Sequence, residues 1–188
     1  MKSDIYTEKH GMEIILSKMD AIGALCGLPP SDTGKLRLLT EEMLALTVRL
    51  FENLKYEFCA ENKDKRFTLR LTAETAVNQS QKEKMLSLSK SGKNKAEQGV
   101  FGAISGVFES LLMNSSGVEQ IFIPQYDGME FTPYFALSVY RESILSAVRA
   151  EPNELWDGLE KSIIATLAKD VIIGVKSNKV EMIVFAEF

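Results

Sequence analysis

A chain of 188 residues with 45% hydrophobic and 26% charged side chains is long enough to bury about 70% of its unfolded surface in one core, so a single domain over 1–188 is expected. Its 12 Gly and 5 Pro exclude a collagen-like or low-complexity chain, and its apolar content excludes a disordered one. With 22 Lys plus Arg against 26 Asp plus Glu and a formal charge of -4, the balance argues against a nucleic-acid partner held by phosphate neutralisation.

Met1 to His10 is polar and lacks the apolar centre of a signal peptide, and no stretch approaches the ~18 apolar residues of a membrane span. A cytoplasmic protein without membrane contact is expected. From Met12 to Cys26, apolar residues at Met12, Ile15, Leu16, Met19, Ile22, Leu25 and Cys26 follow the spacing of a helix with one buried face. Gly27 and Pro29-Pro30 end it. Ser31, Asp32 and Thr33 offer N-caps for a second helix with the stripe Leu36, Leu39, Met43, Leu46 and Leu50, broadened by Leu44, Val48 and Phe51. So wide a stripe predicts a deeply packed central helix.

The period then becomes two. Tyr56, Phe58 and Ala60 alternate with Glu57, Cys59 and Glu61, and beyond the polar turn Asn62 to Lys65 the residues Phe67, Leu69, Leu71 and Ala73 alternate with Thr68, Arg70 and Thr72. This pattern predicts a hairpin with one core face. Gln79 to Ser91 reads as a short polar helix broken by Ser91 to Asn94, and a further helix is expected from about Ala96 to Met113. An irregular insertion is expected around 114–150, with a strand reaching about Tyr140 and then a short helix. A helix from Glu151 through Leu167 follows, and strands Val171 to Val175 and Val180 to Phe185 close the chain. The fold class is α+β, with helices on one face of a mixed, mostly antiparallel sheet.

Cys26 and Cys59 belong to no CxxC pair, so neither a zinc site nor a redox motif is expected, and their apolar neighbours predict buried free thiols. With His10 as the sole histidine, no histidine-based metal cluster and no Ser-His-Asp triad can be assembled, and His10 itself is expected in solvent. Trp156, Tyr134, Phe135 and Tyr140 at helical or strand spacing are expected in the core rather than around a ligand. The lysines Lys82, Lys84, Lys90, Lys93 and Lys95 make one basic patch, expected as solvated surface.

The stretch Gly27-Leu-Pro-Pro-Ser-Asp-Thr-Gly-Lys-Leu-Arg-Leu-Leu-Thr-Glu-Glu-Met-Leu-Ala-Leu resembles the N-box helix of GHKL ATPases, above all the bacterial anti-sigma factor kinases related to histidine-kinase ATP-binding domains. That helix reads L-x-L-x-x-x-E-x-x-x-N, its Glu polarising the attacking water and its Asn holding magnesium. Glu42 falls at the general-base position, but Leu46 stands where the Asn is required, and leucine has no oxygen to offer a hard cation. At the next motif, D-x-G-x-G, this chain has Ala73-Glu74-Thr75-Ala76-Val77, without the adenine-binding Asp or either glycine. Ser91 to Lys95 and Gly99 to Gly102 stand where the family has its lid, and Gly92, Lys93, Gly99 and Gly102 are the residues that an anion or nucleotide would use there. The competing reading has Gly92 ending a helix and Gly99, Gly102 and Gly106 allowing close helix packing.

The resemblance runs from Met12 to Leu112 and implies a Bergerat-like ATPase sandwich with a decayed nucleotide site. It implies no cofactor and no enzyme, but a bacterial regulatory protein contacting a sigma factor or its regulator near the second helix and dimerising through the first helix and sheet. Two alternatives stay open: an active anti-sigma serine kinase in which Asn78 or Asn94 replaces the metal ligand and Glu74 the adenine contact, or a domain holding another small molecule in the former pocket. Glu41 and Glu42 are otherwise the polar edge of the helix, with Arg37 and Arg49 as partners.

Overall fold

The computed structural model describes residues 2–7, 11–50, 56–74, 132–148, 162–176 and 179–188. In chain order these form β1 (Lys2–Thr7), α1 (Met12–Leu25), α2 (Pro30–Leu50), β2 (Tyr56–Lys63), β3 (Arg66–Glu74), β4 (Thr132–Ala136), α3 (Leu137–Val148), α4 (Ile163–Leu167), β5 (Asp170–Lys176) and β6 (Lys179–Glu187). The fold is α+β. The strands make one sheet in the order β1-β2-β3-β6-β5-β4, and each described pairing is antiparallel, where a mixed sheet was expected.

The four strands expected from period-two alternation lie side by side in this sheet, and the alternation decides which face is buried. Phe58 and Ala60 of β2, Phe67, Leu69 and Leu71 of β3, Met182 and Val184 of β6, and Val171 and Ile173 of β5 point to one side, where they share a core with Ile15, Leu16 and Met19 of α1 and Leu36, Leu39 and Met43 of α2. Each of these side chains other than Ala60 contributes about 1.5–3 kcal/mol by leaving water. On the outer face, Ile172 and Ile183 form a smaller buried cluster with Phe185 packed against it. Glu181 in the same strand is 6% exposed and is neutralised by Arg70 at 2.9 Å.

Several boundaries differ from expectation for physical reasons. Helix α2 starts at Pro30, ahead of the expected caps, because a first-turn proline lacks only an N–H that the helix would leave unbonded. Ser31, Asp32 and Thr33 therefore lie inside its first turn, where Asp32 favours the helix dipole and pairs with Lys35 at 2.8 Å. Strand β4 ends at Ala136 rather than near Tyr140. Leu137 instead opens α3, and Tyr140 packs from that helix against Phe135 with ring centroids 5.9 Å apart. Partial burial raises the Tyr140 phenol above its ordinary pKa. Strand β1 was not anticipated at all, since Lys2 to Thr7 lacks a sustained alternation.

The hairpin turn is tighter than the four polar residues suggested. Strands β2 and β3 run to Lys63 and Arg66, leaving Asp64 (φ 53) and Lys65 (φ 63) both left-handed between them. Such a two-residue connection matches the strand twist, at a conformational cost to residues with a Cβ. Cys26 and Cys59 form no disulfide, and each is half-buried rather than buried. No helix among the described residues is long and apolar enough to cross a membrane. His10, Trp156, the lysines from Lys82 to Lys95, the helices expected over 79–113 and most of the helix expected from Glu151 lie outside the described residues.

Candidate functional site

Helix α2 carries Glu42 and Leu46, and its placement is set by α1. Gly23 of α1 lies so close to Thr33 that a Cβ built on it would stand 2.9 Å from the Thr33 side chain. Arg37 then crosses to α1, where its guanidinium donates to Asp20 and lies 3.7 Å from Glu13. The expected partner Glu41 is therefore not needed to hold Arg37, and it stands exposed. Thr40, fully buried, returns its hydroxyl to the Leu36 carbonyl at 2.8 Å.

Thr40 apart, the inner side of α2 is apolar along its described length. Leu46 is 1% exposed and belongs to the same core as Phe58 and Leu71. Glu42, one turn earlier, is half-buried. Ala73, 1% exposed, faces the same layer from β3 opposite Tyr56 of β2. The Tyr56 hydroxyl is buried and finds no hydrogen-bond partner among the described residues. Leu46 and Ala73, the positions that the resemblance matches to a metal and an adenine contact, are thus buried hydrocarbon. Gly92, Lys93, Gly99, Gly102, Asn78 and Asn94 lie outside the described residues, and so does the Glu74 side chain. Among the described residues, no group of three His, Cys, Asp or Glu side chains is placed to hold a metal ion.

A second feature lies on the opposite side of the sheet. On the outer face, where the hairpin tip meets the end of β6 and the start of β5, lies a cleft of about 820 Å³. Thr68 and Phe185, directly opposite one another, form its floor. Lys63, Arg66 and Lys169 stand around it, and Glu187 sits between Lys169 at 2.8 Å and Arg66 at 3.6 Å. The Lys169 hydrogen bond and charge, then the Arg66 charge, hold the Glu187 carboxyl below its ordinary pKa. The cationic run Lys63, Lys65, Arg66 at a hairpin tip was the available signal, but nothing local links it to Lys169 or Phe185. No family model matches the chain, and no curated protein matches it either.

Proposed function

We propose that the chain is a GHKL ATPase-like domain, a Bergerat-type sandwich, that has lost nucleotide binding and works as a bacterial cytoplasmic regulator through contact with another protein. Burial of Leu46 carries this reading. A residue that ligates magnesium must look into a solvated cleft, whereas Leu46 is 1% exposed among core side chains. The order β1-α1-α2-β2-β3 with both helices on one sheet face supports the fold assignment. Phosphoryl transfer depends on metal neutralisation and positioning, so Glu42 alone has nothing to activate.

This reading assigns the partner surface to the outer side of α2, where Leu38 is 41% exposed one turn before the exposed Glu41. The partner class by resemblance is a sigma factor or a protein that regulates one, with self-association through α1 and the sheet. Isothermal titration with Mg-ATP tests the loss of the nucleotide site. Absence of magnesium-dependent binding is expected, and micromolar magnesium-dependent binding would overturn the proposal in favour of an active kinase.

A further inference from the structure

We draw no further inference here: the strongest candidate, the exposed apolar stripe of Ile14, Ala21 and Leu25 along one side of α1, is an unpartnered helix face, and nothing in the structure shows what covers it.

Discussion

Asp170 holds Ser138 with both carboxylate oxygens, Oδ1 accepting from the backbone amide at 2.9 Å and Oδ2 from the hydroxyl at 2.8 Å. The residues are 32 positions apart, yet this contact starts α3 where the local sequence favours continued strand. Oδ1 also accepts from the Val171 amide at 2.8 Å, so one buried side chain ties the beginning of β5 to the beginning of α3. Replacing Asp170 with Ala strips partners from at least the three donors described and is expected to cost about 3 kcal/mol or more, against about 1–2 kcal/mol for Ser138→Ala. Urea denaturation of the two variants checks both the order and the sizes. Equal midpoints for wild type and Asp170→Ala would remove Asp170 from this role.

The Tyr56 hydroxyl is the reverse case, a polar group buried without a partner among the described residues. Leaving such a group unbonded costs about 1–3 kcal/mol, whereas its removal keeps the ring in the core. Tyr56→Phe is therefore expected to raise the unfolding free energy by about 1 kcal/mol. A lower denaturation midpoint for this variant would mean that the hydroxyl has a stabilising contact.

Asp64 and Lys65 both sit at positive φ in the two-residue turn. Asn and Gly adopt this conformation at less cost, so Asp64→Asn with Lys65→Gly is expected to gain about 1 kcal/mol, the relief at Lys65 being partly offset by the freer unfolded chain. Thermal unfolding measures the gain. A fall in melting temperature would show that the Lys65 side chain contributes more than its backbone strain costs.

At the cleft rim, Lys169 and then Arg66 lower the pKa of Glu187. A carboxylate whose folded pKa lies below its unfolded value stabilises the protein above the ordinary carboxylate range, and that contribution disappears as pH falls through the lowered value. Wild type is expected to exceed Glu187→Gln in stability at neutral pH, with the two converging in acid. Because the group is exposed, the gap is small and narrows with salt. Denaturation midpoints across the acid range at low and high ionic strength follow it.

The sheet was readable because its signal is local. Phe58 to Ala60 and Phe67 to Ala73 alternate in steps of two, and that alternation alone fixes which side chains meet the helices. Ser31, Asp32 and Thr33 carry cap chemistry, yet α2 starts before them because Pro30 already satisfies the geometry of a first helical position. The β4–α3 boundary was illegible for another reason, since aromatic and β-branched residues at Tyr134 to Tyr140 favour a strand, and the contacts that accompany the helix start, Asp170 to Ser138 and Arg141 to the Ala165 and Ala168 carbonyls, come from far along the chain. The outer-face cleft has the same character. Lys63 and Phe185 come to line one cleft through strand order, which no window of sequence contains.

Leu46 joins the sequence to the proposed function most directly, because one side chain decides between a core and a metal site. It is 1% exposed on the inner side of α2, within the cluster that includes Phe58 and Leu71. Leu46→Asn trades buried methyl groups for an amide that needs hydrogen bonds at both ends, so both the lost apolar transfer and the buried polar group destabilise. The expected loss is about 3–5 kcal/mol, seen as a fall in melting temperature. Under the proposed reading, restoring the oxygen does not restore the site, since Ala73 offers no acceptor at the position that the resemblance matches to the adenine contact, and Thr75 and Val77 stand at the positions it matches to glycine. Isothermal titration of the variant with Mg-ATP at a temperature where it remains folded is thus expected to show no binding. An unchanged melting temperature together with newly acquired nucleotide affinity would mean that Leu46 borders an open cleft, and the reading of a lost site would have to be given up.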